Sequence, residues 1–172
     1  MEYLGTYLNF IKYCQQPEGY FLNYVDQEQR FTEQNDATNL ADANGRTIWA
    51  LGYLLSRRAL LPAALIATAE GVLRRALPRI EMMHSTRAMA FALKGLYYCN
   101  LGKKSPENSS LIKILADRLV QMYRHESEQG WQPWSNFWPM CLRIAEWRMS
   151  LFSILIRPKK ACCRNCFSEF PN

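Results

Sequence analysis

Apolar residues recur every three or four positions along five segments of the chain, which is the period of amphipathic α-helices. The first segment, EYLGTYLNFIKYC, places Leu4, Tyr7, Leu8 and Ile11 on one face. The other four segments cover, in order, residues 42–58, 62–80, 85–101 and 106–126. No segment alternates apolar and polar residues for long enough to predict a strand, so the pattern predicts an all-α fold.

Proline and capping residues set several boundaries of these predicted helices. Pro62 starts the third helix, and Pro78 is expected to end or kink it, because proline lacks the N–H that a helix interior uses. Ser105 is the expected N-cap of the fifth helix, with Pro106 in its first turn. The aromatic and polar segment 20–36 is predicted to be extended or irregular.

Short loops between helices of this length favour antiparallel helical hairpins. Two of the helices, GRTIWALGYLL and TRAMAFALKGLYY, have a similar texture about 40 residues apart, with Gly or Ala where helices would approach closely. One interpretation is a repeat of helical pairs, as in stacked or toroidal arrangements. The other is two unrelated amphipathic helices of similar composition.

The composition fits one compact domain with an unusual C-terminal segment. The chain has 172 residues, of which 49% are apolar, and a net charge of +6. Residues 143–172 carry +4 of that charge and residues 1–142 only +2. A nearly neutral body does not indicate a nucleic-acid partner, because phosphate binding needs a basic surface.

Neither a secretory signal nor an apolar run long enough to span a bilayer is present, which predicts a soluble cytoplasmic protein without a membrane partner. Cys14 and Cys99 lie in apolar helical patterns and are expected to be small core residues. Cys163 and Cys166 form one C-x-x-C pair, but the second pair of a zinc site is missing. We therefore expect no metal and no cofactor.

The start of the second predicted helix is unusually polar. Asp42 could act as its N-cap, accepting from the backbone N–H of Asn44 or Gly45. Arg46, one turn later, could pair with that carboxylate or bind a ligand, and Trp49 offers a flat apolar ring beside it. A carboxylate, a guanidinium and an indole together are typical of sites that recognise polyhydroxyl compounds.

Other polar residues join this group if the hairpins point the same way. Arg87 lies at the start of the fourth helix, just after His84, which is more typical of a loop or cap than of a catalytic base. The predicted catalytic residue is Asp42, and the predicted substrate-binding residues are Asn44, Arg46, Trp49, Arg87, Tyr24 and Trp131. Such a rim suits a saccharide or glycoconjugate better than a nucleotide.

These motifs resemble those of a known family. LADANGRTIWALG resembles the E-D-x-x-G-R-A-L-W-A-L-G signature of a bacterial helical domain found in or beside glycosyltransferases of carbohydrate-utilisation loci. Three further segments of that domain are similar to PEGYFLNYVDQEQRF, HSTRAMAFALKGLYY and LADRLVQMYRHESEQGW. All of these motifs occur along this chain in the family's order. The resemblance covers about residues 5–132 and implies part of an (α/α) toroid related to the six-hairpin glycosidases, with carbohydrate as its substrate.

The chain departs from that pattern at Ala41, where the family usually has Glu, and at Asn44, where it often has His or Gln. This puts catalytic activity in doubt. After Gln132 the family motifs stop, although codons compatible with residues 137–145 can encode the expected run in another frame. We therefore divide the chain into a partial toroid domain, 1–132, and a basic Cys- and Trp-rich tail, 133–172, which we interpret as frameshifted and poorly ordered.

Two functions are consistent with the sequence. The first is a carbohydrate-active fragment, related to a glycosyltransferase or a glycosidase, that binds saccharide at the rim and is inactive as a catalyst on its own. The second is a non-enzymatic helical repeat module for protein–protein interaction. An incomplete toroid leaves apolar helix faces uncovered, which predicts marginal stability or self-association.

Overall fold

The computed structural model describes residues 2–126, and it is all-α. The expectations for residues 127–172, including Trp131 and the tail interpreted as frameshifted, lie outside the described residues. The helices are α1 (Glu2–Cys14), α2 (Gln34–Ala37), α3 (Ala41–Ser56), α4 (Ala63–Glu81), α5 (Thr86–Gly102) and α6 (Pro106–Glu126). None of them combines the length and the apolar character that crossing a bilayer requires.

Most helix boundaries agree with the sequence pattern, and two features differ from it: the course of α4 at Pro78 and the presence of α2. The Ser105 hydroxyl accepts from the backbone N–H of Asn108, as expected of an N-cap. The prediction for Pro78 is corrected in one respect, because α4 continues through it to Glu81. Pro78 is exposed, so water can satisfy the carbonyl that loses its helical partner. The short helix α2 was not predicted.

Helices α3 and α5 pack against each other at very close range. A Cβ on Gly45 would lie only 2.6 Å from the carbonyl oxygen of Ala88, and one on Gly52 would overlap the carbonyl of Gly95. Because both contacts advance along the two helices together, α3 and α5 run parallel. The small residues at these positions are therefore required by the approach of the backbones, as the sequence texture predicted.

The remaining long helices form a second layer behind this pair. Helix α4 contacts α3, α1 and α6, while α6 also contacts α5. The core lies between the layers, and its largest fully buried side chains are Ile48, Leu51, Leu55, Val72, Ile80, Met89, Leu96 and Leu115. The opposite side of the α3–α5 pair faces solvent.

The segment between α1 and α3 has little regular structure. Hydrogen bonds from buried side-chain amides hold it in place. The amide of Gln15 donates to the carbonyl of Val72 on α4 at 2.9 Å. Gly19 has φ 94°, and a Cβ there would overlap the carbonyl oxygen of Arg75. Only glycine tolerates both the positive φ and this close approach. The segment is thus held in place against the second half of α4.

Candidate functional site

Asp42 lies at the centre of a cluster of charges that joins α3 to α5. Its Oδ2 accepts from Nε of Arg46 at 3.0 Å, and its Oδ1 accepts from Nε of Arg87. Asp42 is in the first turn of α3 and Arg87 in the first turn of α5. Because the two helices are parallel, their N-terminal ends meet at the same edge of the molecule. The structure thus brings together three residues that the sequence placed at one rim.

The predicted N-cap role of Asp42 is wrong. Helix α3 begins at Ala41, its N-cap position is Leu40, and no side chain caps it there. The Oδ1 of Asn39 instead accepts from the backbone N–H of Ala41 at 2.9 Å. The Asp42 carboxylate instead binds two guanidiniums, one from the next turn of α3 and one from α5, and such charge-assisted bonds are stronger than a bond to a peptide N–H.

Trp49 packs between the two helices and is not an isolated platform. Its ring stacks on Phe91, with centroids 5.5 Å apart and an interplanar angle of 12°. The Lys94 ammonium lies 3.9 Å from the Trp49 ring centroid, and the Arg46 guanidinium lies 5.4 Å from that of Phe91. Trp49 is half-buried. Cations and rings from α3 and α5 therefore interleave beyond the charge cluster.

The same interleaving continues towards the C-terminal ends of the helices. Tyr53 meets Tyr98 edge-on at 5.4 Å, and the Arg57 guanidinium lies 5.4 Å from the Tyr53 ring centroid. We call this surface the α3–α5 strip; it consists of Asp42, Arg46, Trp49, Tyr53, Arg57, Arg87, Phe91, Lys94 and Tyr98. Phe91 is buried, and the other members are exposed or half-buried.

Sequence reasoning missed the second half of the strip. Its members recur three or four residues apart in each helix, which is a detectable signal of one shared face. However, the same spacing also describes an ordinary amphipathic surface, so the parallel pairing was needed to identify the strip.

Asn44 occupies a different environment from the one expected of a substrate-binding residue. It is buried, and its Oδ1 accepts from the backbone N–H of Phe21 at 2.7 Å. Its Nδ2 donates to the carbonyl oxygens of Phe21 and Leu40, both at 2.9 Å. The amide is thus engaged in joining the irregular segment to α3, on the inner side of the helix.

Tyr24 and His84 are not part of the ion pairs of the charge cluster. Tyr24 is half-buried in the irregular segment, where its backbone N–H donates to Oδ1 of Asn35 at 2.9 Å. Trp131 lies outside the described residues. His84 is exposed directly before Ser85, the N-cap whose hydroxyl accepts from the backbone N–H of Ala88, so the expected loop or cap position of His84 is confirmed.

The electrostatics of the described residues do not indicate a nucleophile or a metal centre. Burial raises the pKa of the Cys14 thiol, and it raises that of Cys99 against the opposing hydrogen bond from Asn108. Both thiols are therefore poorer nucleophiles than a free cysteine. Within residues 2–126, no group of three or more His, Cys, Asp or Glu side chains is arranged to hold a metal ion. Burial also lowers the pKa of Lys94.

A separate groove of about 320 Å³ lies between α1 and the C-terminal half of α3. Its lining is almost entirely apolar and consists of Leu4, Tyr7, Leu8, Ile11, Ala50, Leu51, Tyr53, Leu54, Arg57 and Leu61. A small-molecule site normally adds several convergent polar groups that orient the ligand. The groove lacks such a group apart from Arg57 and the tyrosine hydroxyls, so the α3–α5 strip is the better candidate site.

Comparisons with protein-family models, curated proteins and solved structures find no match to this chain.

Proposed function

We propose that the chain is a segment of a carbohydrate-active (α/α) toroid and binds saccharide at the N-terminal end of the α3–α5 strip. The observation that carries the proposal is the charge cluster, in which one carboxylate, that of Asp42, orients the guanidiniums of Arg46 and Arg87 beside stacked aromatic rings. Oriented donors next to aromatic surface match a sugar, which presents hydroxyl groups at its edges and C–H groups on its faces.

The exposure of the cluster supports this proposal. The Arg46 side chain is 60% exposed while its Nε is fixed by Asp42, so its remaining N–H groups are accessible without being freely mobile. A donor that is already oriented loses less conformational entropy when a ligand binds than a freely rotating side chain does. The buried ring of Phe91 lies next to it, and the half-buried ring of Trp49 stacks on Phe91.

The arrangement of the helices supports the toroid. Parallel α3 and α5 form one layer, and α4 and α6, which follow them in the chain, lie in a second layer. Successive hairpins of an (α/α) toroid repeat this pattern, with the N-terminal ends of the inner helices on one rim. The resemblance over about residues 5–132 adds the expectation of carbohydrate as the ligand.

We propose binding and not catalysis for this chain. Glycoside hydrolysis uses two carboxyl groups, about 5–5.5 Å apart in retaining enzymes and about 6.5–9.5 Å apart in inverting ones. Asp42 is the only acidic residue in α3 and α5, and both of its oxygens accept from arginines. Asp26, a possible second carboxylate, pairs with Arg30 in its own turn.

A glycan array with the full chain tests the proposal. The Arg46→Ala variant is expected to lose glycan binding by roughly tenfold, the equivalent of one charge-assisted hydrogen bond. Arg30→Ala is the matched control, since Arg30 is 72% exposed and forms the same type of i,i+4 pair with Asp26 at the same 3.0 Å. No glycan binding by the unaltered chain would contradict the proposal, and a recovered protein partner would then favour the interaction module.

A further inference from the structure

The α3–α5 strip is strongly biased towards positive charge. Arg46, Arg57, Arg87 and Lys94 lie on it, and Asp42 is its only acid. This bias contrasts with the nearly neutral composition of residues 1–142 as a whole, which carry +2. The positive charge is therefore concentrated on the one face of the α3–α5 pair that the second layer leaves open.

The carboxylate of the strip and the Tyr53 hydroxyl already accept hydrogen bonds from cations of the strip itself. Both oxygens of Asp42 accept from guanidiniums, and the Tyr53 hydroxyl accepts from Arg57 at 3.4 Å. A site for neutral sugars needs acceptors as well as donors, because each sugar hydroxyl can act as either. This surface presents mainly donors to a ligand, and carboxylate or sulfate oxygens are acceptors only.

Lys94 adds a cation whose environment favours an incoming anion. Its ammonium lies over Trp49, and it forms no ion pair among residues 2–126. The partial burial that lowers its pKa means that the charged form has lost part of its hydration. An acidic ligand group near Lys94 would restore a favourable interaction that the protein alone does not supply.

We infer that the saccharide bound by the α3–α5 strip is an acidic one, whose carboxylate or sulfate group pairs with Lys94 beside Trp49 while Arg46 donates to another part of the same saccharide. This inference rests on the proposed function and narrows its ligand class. The half-buried ring of Trp49 is the one that a sugar ring can contact, while Phe91, which is 6% exposed, supports Trp49 by stacking on it. The acid supplies the acceptors, and the cations supply charge-assisted hydrogen bonds.

The test is a glycan array of matched pairs: uronate oligosaccharides with their methyl esters, and sulfated oligosaccharides with their desulfated forms. Polyglutamate serves as an anion that is not a sugar. We expect at least tenfold tighter binding of the acidic member of a pair, weakening as salt is raised. The uronate and sulfate pairs separate the two sources of the acidic group.

Variants of the full chain then locate the contact. Lys94→Gln keeps a side chain of similar length without the charge, and is expected to reduce the preference for the acidic member several-fold. Lys113→Gln is the control, because Lys113 is 72% exposed on α6 and pairs with Asp117. Circular dichroism and thermal unfolding of both variants check that the fold is retained.

Each result decides between the two proposals. Equal binding of acidic and neutral members would overturn this inference and leave saccharide binding intact. Binding of polyglutamate as tight as that of the acidic glycans would also overturn it, because the strip would then recognise charge alone. No binding of any glycan would contradict the proposed function itself. An unchanged preference in Lys94→Gln would exclude the contact assigned to Lys94.

Discussion

The amide of Asn44 joins two parts of the chain that are distant in sequence. It accepts from the backbone N–H of Phe21 and donates to the carbonyl of the same residue, while a third bond reaches Leu40. Asn44 thus bonds the N–H and the C=O of Phe21 as the backbone of a neighbouring strand would. Phe21 is 4% exposed and belongs to the core. A single polar side chain thereby fixes the position of a hydrophobic one.

Replacing Asn44 by Ala should destabilise the protein by about 1–3 kcal/mol, because the buried N–H and C=O of Phe21 would lose their partners. The free energy of unfolding, measured by urea denaturation, checks this. Asn9→Ala is the control, since Asn9 is exposed on α1 and the change should be neutral or slightly stabilising. Equal stabilities of the two variants would show that the Asn44 bonds contribute nothing net.

Sequence reasoning assigned Asn44 to the ligand as one of the polar residues at the start of the second predicted helix. Neighbours in sequence on a helix point in different directions, and residues 42 and 44 are on different sides of α3. Asp42 and Arg46, four residues apart, do share a side, and their pairing was predictable. The partner of Asn44 is a backbone group 23 residues away, which no local pattern encodes.

At the scale of elements, the contact between α3 and α5 determines the rest of the site. Gly52 faces Gly95 where the two backbones meet. Gly45 faces Ala88 in the same way, two turns earlier on both helices. The close approach allows rings from one helix to reach between side chains of the other, as Trp49 does. The α3–α5 strip exists because these positions carry no larger side chain.

Gly52→Ala should destabilise the protein by about 3 kcal/mol, since its new methyl would overlap the Gly95 carbonyl and force the helices apart. Gly71→Ala is the matched control: Gly71 is exposed within α4 and a Cβ there would have no neighbour within 4 Å. That change should stabilise the protein by about 0.5–1 kcal/mol through helix propensity. Thermal unfolding of both variants checks the opposite signs, and a stable Gly52→Ala variant would contradict the packing.

The helices themselves were largely predictable from sequence, because each has a continuous apolar face and recognisable ends. Ser105 and Pro62 mark such ends, and both lie where the pattern placed them. Pro78 was less predictable, since its effect depends on whether that side of α4 meets water. The four-residue helix α2 is too short to have a period, and tertiary hydrogen bonds to Asn35 hold its surroundings.

At the scale of the whole molecule, the two layers do not cover all of their apolar surface. Tyr3, Tyr7 and Phe10 on α1 are 79%, 66% and 49% exposed. Tyr7 also lines the apolar groove between α1 and α3. In a repeating arrangement of helical pairs, each pair buries such surface against the next one. The groove is the position at which a further helix would pack beside α3 in the proposed toroid.

Because no helix among residues 2–126 covers the groove, we expect the chain to self-associate through it, with an elution volume on gel filtration that decreases as protein concentration rises. Tyr7→Lys should shift this equilibrium towards the monomer, since a charge in an apolar contact loses hydration without gaining a partner. Tyr3→Lys is the control, because Tyr3 is more exposed on the same helix and does not line the groove. A monomer at every concentration would contradict association through the groove and would count against the toroid. Equal effects of the two substitutions would place the contact elsewhere on α1.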